Sequence, residues 1–108
     1  MPARLGILAL AALAIAACAT TPTTRDAWIN YTCTDGRRLQ ASYPDTDTAI
    51  IKLQGDMHTL HVALSGSGAR YTGGDLQWWT KGMHEGMLAP LASGESIASA
   101  PGTVCYAK

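Results

Sequence analysis

The chain has no phenylalanine, few charges and no apolar run long enough to cross a bilayer. Only 15% of its 108 residues are charged and 6% are aromatic. Eight Lys and Arg balance eight Asp and Glu, so no basic excess exists to neutralise nucleic-acid phosphates. Nor is there a polybasic cluster that would hold an anionic membrane surface. Outside the first residues, no window of helical length carries an amphipathic 3.6-residue period. Cysteine is scarce as well, at three residues. Without any C-x₂-C spacing, these cysteines do not form a zinc motif.

What is present begins with an address. "MPARLGILALAALAIAAC" places Arg4 before an apolar segment, Leu5 to Ala17, which is shorter than the ~20 residues of a spanning helix and fits the h-region of a signal peptide. It ends in Ile15-Ala16-Ala17-Cys18, which resembles the bacterial lipobox, where the cysteine receives lipid and becomes the new N-terminus. Residues 1–17 are therefore expected to be a signal peptide, with Cys18 lipidated. Ala19, rather than Asp, follows the cysteine; by resemblance to lipoprotein sorting this favours the outer membrane, facing the periplasm. Thr-rich "ATTPTTRD" reads as a spacer, so 18–27 form a lipidated tether and 28–108 one domain. Without the signal, seven Lys and Arg face eight Asp and Glu, a net of −1, and membrane attachment rests on the lipid alone.

If Cys18 carries lipid, Cys33 and Cys105 remain as a pair in an oxidising compartment. Closing that long loop stabilises the fold by about 4 kcal/mol in the chain-entropy account.

From Trp28 onward, short runs of period two are broken by turn signals. "WINYTC", "RRLQASY", "TAIIKL", "MHTLHVAL", "ARYT", "LQWWT", "EGMLAPL" and "TVCYA" read as strands, with "TDG", "QGD" and "GGD" between several of them. In the second, Leu39, Ala41 and Tyr43 share one face, with Arg38, Gln40 and Ser42 on the other. In the fourth, Leu60, Val62 and Leu64 share a face. Eight short strands predict an all-β antiparallel barrel or sandwich.

The candidate catalytic groups are weak. His58 and His61 are three apart on a strand and so point to opposite faces; His84 has no partner fixed by sequence. No metal or other cofactor is expected. Ser67 lacks the G-x-S-x-G spacing and the strand–turn–helix of a nucleophile elbow. Asp75 after Gly73-Gly74 is a turn residue. No enzymatic constellation emerges.

Several features then converge. Tyr31-x-Cys33 precedes Asp35-Gly36. "SGARY" runs from Ser67 to Tyr71, "WWTKG" from Trp78 to Gly82, and a last cysteine lies near the end. Together they resemble the MliC/PliC family, lipoprotein and periplasmic inhibitors of c-type lysozyme. The resemblance covers about Trp28 to Tyr106. It implies a small eight-stranded antiparallel β-barrel and a c-type lysozyme as protein partner. It also implies an inhibitory surface made by the serine of S-G-x-x-Y and the lysine of W-x-K-G, here Ser67 and Lys81. Gly68 and Tyr71 belong to the same motif, and Gly66, just before it, completes a slim Gly66-Ser67-Gly68 tip, so all three are expected at the lysozyme-binding surface. Tyr71 and Trp78 also read as barrel packing. If Trp78 faces inward, Trp79 shares the parity of Lys81 and flanks that surface as an aromatic anchor. The competing expectation is an envelope lipoprotein that binds glycan or a small ligand in its barrel.

Overall fold

The computed structural model describes residues 27–82 and 84–108; the signal, Cys18 and nearly all of the tether lie outside these. Eight strands follow one another in the chain: β1 (Ile29–Cys33), β2 (Arg38–Asp45), β3 (Thr48–Leu53), β4 (Asp56–Ala63), β5 (Ala69–Gly73), β6 (Leu76–Lys81), β7 (Glu85–Pro90) and β8 (Thr103–Ala107). Each pairs antiparallel with its neighbour, and β8 returns to β1, giving a closed barrel. The barrel, not the sandwich, is therefore the architecture. Closure leaves no unpaired edge for another chain to extend.

The seam is where the cysteines sit. Cys33 and Cys105 are direct cross-strand partners on β1 and β8 and form a disulfide. The staple thus joins the first and last strands, the contact of greatest sequence separation. This is where restricting the unfolded chain counts most.

Alternation along the strands fills the interior. Leu39 and Ala41 on β2, Ala49 and Ile51 on β3, Leu60 on β4 and Leu88 on β7 are buried, as period two requires. Trp78 is fully buried. Its indole and the Tyr31 ring pack nearly perpendicular at 5.0 Å between centroids, and the indole N–H donates to the Tyr43 hydroxyl at 2.9 Å. Room for it comes from Gly86 on the neighbouring β7, where a Cβ would lie 2.3 Å from the indole ring. Such large-against-small pairing is how a narrow barrel is packed solid. Burial, and then the hydrogen bond with Tyr31, push the Tyr43 phenol well above its ordinary range, so it stays a neutral donor–acceptor in the core.

Two expectations about strand faces need correction. Leu60 is buried, but Val62 is 44% exposed and Leu64 is 92% exposed. The β4–β5 ladder holds only His61 to Ala63, so the chain at Leu64 has left the closed interior. Ser42, expected on the solvent face, is buried; it borders the register shift that runs from Ser42 to Asp45.

Candidate functional site

The connection between β4 and β5 is the Gly/Ser tip. Gly66, Ser67 and Gly68 are all exposed. Its shape is fixed from below. The Trp79 indole N–H donates to the Ser67 carbonyl at 2.8 Å, and the Ser65 hydroxyl donates to the Gly68 carbonyl at 3.3 Å. Gly68 has φ +67°, and a Cβ there would lie 2.2 Å from the Thr80 carbonyl oxygen. Only glycine combines that left-handed backbone with so close an approach to β6. Ser67 is exposed with its carbonyl held by Trp79, and among the described residues its hydroxyl has no hydrogen-bond partner.

Parity places the rest. Trp78 is inside, so Trp79 and Lys81 face outward on β6, with Met87 and Glu85 opposite them on β7. Lys81 is exposed and makes no ion pair with Glu85 or any other described residue. Ser67, Trp79 and Lys81 border one shallow hollow of about 300 Å³, completed by Glu85, Gly86 and Met87. An uncharged hydroxyl on the pinned tip and a free ammonium at the end of β6 therefore border the same hollow. That arrangement suits an acidic, acceptor-rich partner.

Tyr71 lies elsewhere. It is 7% exposed, pairs in register with Val62 and Trp78 on the inner side of β5, and stacks obliquely on Tyr43 at 5.8 Å. Burial, then the neighbouring Tyr43 and the acidic Asp47 and Asp45, raise its pKa. The structure thus gathers Ser67, Trp79 and Lys81 into one groove and leaves Tyr71 behind them as support.

One residue was missed in the sequence. Arg70 has outward parity on β5, yet it is only 4% exposed. Its Nε and one Nη donate to the Leu64 carbonyl at 3.1 and 2.7 Å. The other Nη donates to the Ser96 carbonyl at 2.8 Å and to Gln77 Oε1 at 3.2 Å. The guanidinium lies 5.8 Å from the Trp79 ring centroid. Its cover is the β7–β8 connection, residues 91–102, which folds over the outside of β5 and β6. No local signal marks this, because the Ser96 partner is remote in sequence.

The three histidines stay apart. His58 pairs with Ile51 and His61 with Thr48, on opposite faces of β4, and His84 lies in the β6–β7 turn. Among the described residues no group of three or more His, Cys, Asp or Glu could hold a metal. The interior is filled by side chains such as Trp78, Ile51, Leu60 and Leu88, which speaks against a ligand inside the barrel. A larger hollow of about 440 Å³ lies on the outer face of β1–β3, lined in part by Arg38, Lys52 and Lys108. By strand order it is centred on β2, opposite β6, which carries Trp79 and Lys81.

Fold and site together define a small closed β-barrel that presents a pinned polar tip beside an unpaired cation. The sequence family described as membrane-bound lysozyme-inhibitor of c-type lysozyme (MliC) matches residues 31–95, and the chain belongs to it. A relative from Cupriavidus necator, named membrane-bound lysozyme inhibitor of C-type lysozyme, is 39% identical over 83 residues. That match takes in 74% of this chain and 65% of the relative, slightly under two thirds of its length. Among solved structures, the crystal structure of Pseudomonas aeruginosa MliC in complex with hen egg white lysozyme is similar with a TM-score of 0.52 and 22% identity. The alignment covers 90% of this chain and 100% of that one, and it bears on the fold.

Proposed function

We propose that the protein is a non-enzymatic bacterial envelope lipoprotein that inhibits a c-type lysozyme, with Ser67 and Lys81 inserted into the lysozyme active-site cleft. Membership of the inhibitor family supports the partner. The observation that carries the mechanism is the Trp79–Ser67 hydrogen bond, which fixes the tip to the strand that ends in Lys81.

Lysozyme chemistry says what such a surface must do. The enzyme cleaves glycan with two carboxylates in a cleft, one held protonated and one ionised. A blocker needs a slim element that can enter and donors for those acids. Gly66 and Gly68 keep the tip narrow, the Ser67 hydroxyl supplies a donor, and Lys81 supplies a charge on a long stem. In the dry cleft a charge-assisted hydrogen bond from Lys81 to a carboxylate is stronger than in water. Because the tip is already held in shape, little ordering entropy is lost on binding. Trp79 flanks the contact, and Tyr71 supports β5 from within.

Cys18 acts through location. Lipid at this residue, with the tether to residue 27, would hold the inhibitor at the outer membrane on the periplasmic side, where an invading lysozyme reaches the cell wall. Fractionation of cells carrying the wild type or Cys18→Ser tests this. Labelled fatty acid and membrane association should appear with the wild type alone, and equal solubility of both without label would contradict it. For the inhibitory activity, adding the purified chain without residues 1–17 to a c-type lysozyme should slow cell-wall lysis, and undiminished lysis at saturating protein would contradict it.

A further inference from the structure

Two apolar side chains beside the tip are exposed on backbone that is tied down. Leu64 is 92% exposed and Ile97 is 60% exposed. The Leu64 carbonyl accepts two hydrogen bonds from Arg70. Ile97 is pinned on both sides: the Ser96 carbonyl accepts from Arg70 at 2.8 Å, and the Ala98 N–H donates to Gln77 Oε1 at 3.0 Å. Gln77 and Arg70 are themselves hydrogen-bonded. One buried guanidinium and one buried amide therefore hold two separate segments side by side.

The exposure is enforced by this clamp. A mobile loop could turn an isoleucine inward, but the two anchors around Ile97 fix its backbone. The connection is braced further within itself, since Glu95 accepts from the Ala92 N–H at 2.9 Å and from the Ser99 hydroxyl. Isolated exposed apolar residues are ordinary on protein surfaces. A pair held rigidly next to a candidate binding tip is different, because rigid apolar groups around a polar centre exclude water and lose little entropy on binding. Leu64 immediately precedes the Ser65–Gly68 tip in the chain, and the buried Arg70 that anchors both segments also reaches to 5.8 Å from the ring of Trp79, which borders the Ser67 groove.

We infer that the lysozyme-contacting surface extends from the tip onto the β7–β8 connection, with Leu64 and Ile97 as its apolar rim. This rests on the reading of Ser67 and Lys81 as the plug. The occupant is the lip of the lysozyme cleft, which Leu64 and Ile97 meet as the tip enters. Burial of the two side chains strengthens the polar contacts beside them by keeping water away.

The test compares inhibition of one c-type lysozyme by the full chain and its Leu64→Ala, Ile97→Ala, Leu64→Ala/Ile97→Ala and Met57→Ala variants. Met57 is a comparably exposed apolar residue, 61% exposed, on β4 beside the β3–β4 turn. Both rim residues are exposed, so thermal midpoints should stay near that of the wild type. The double variant should lose affinity by roughly 10- to 100-fold, while Met57→Ala stays within about twofold. Wild-type potency in the double variant would overturn the rim, as would an equal loss in Met57→Ala. If Ser67→Ala/Lys81→Ala abolishes inhibition while the rim double variant keeps it, only the rim is wrong. If both double variants keep it, the plug fails as well.

Discussion

The indole N–H of Trp79 lies 2.8 Å from the carbonyl oxygen of Ser67. The more exposed of two adjacent tryptophans is thus the bracket that fixes a glycine-rich tip to β6, two residues before Lys81. Its neighbour Trp78 fills the barrel. The Trp-Trp pair therefore splits its work between the core and the site.

Trp79→Phe keeps an aromatic ring but removes the donor. With Ser67 released, the tip must be ordered on binding. Lysozyme affinity should fall by about 3- to 10-fold, the net worth of one hydrogen bond, with little change in thermal midpoint. Inhibition constants and thermal melts on the same variant check this.

The Cys33–Cys105 disulfide closes the seam between β1 and β8. Cys33→Ala/Cys105→Ala leaves the β1–β8 ladder in place but frees the unfolded chain. Stability should fall by about 2–5 kcal/mol. Urea denaturation of the variant and the wild type measures it, and an unchanged midpoint would contradict the seam argument.

A pH effect follows from Glu95. The Ser99 hydroxyl, and then the Ala92 N–H, hold its carboxyl below the usual carboxylate range. Because its folded pKa is depressed, the contribution of Glu95 is present above the unfolded value and disappears as pH falls through the folded value. The 91–102 connection should therefore loosen in acid before the barrel does. Amide protection factors, with the intrinsic slowing of exchange in acid divided out, should fall first around Ala92 and Ser99 between about pH 7 and about pH 3, and Glu95→Gln should show less of that pH dependence.

Much of the fold was legible because period two survives in nearly every strand. The turn dipeptides, the cysteine pair and the alternation of Leu39 and Ala41 all agree with the closed sheet. Barrel against sandwich was not decided by local pattern, because closure depends on the pairing of β1 with β8 across the whole domain. Leu64 was misplaced because alternation says which side a residue faces, not where the strand leaves the interior. Ser67 and Lys81 stood out through their motifs, and Trp79 through its parity with Lys81. Arg70 did not, since an outward-facing arginine reads as solvated until a distant loop is seen to cover it.

The central claim is that Ser67 and Lys81 together enter the lysozyme cleft. Its most direct measurement is the inhibition constant of the Ser67→Ala/Lys81→Ala variant against one c-type lysozyme at fixed salt, beside the two single variants and Lys108→Ala. Lys81→Ala should cost about 2–5 kcal/mol, because a cleft carboxylate loses its partner, which is roughly 30-fold to several thousand-fold in affinity. Ser67→Ala should cost about 1–3 kcal/mol, and the two need not add. Lys108→Ala, outside the motif, should leave inhibition unchanged. A folded double variant that inhibits as strongly as the wild type would contradict the account.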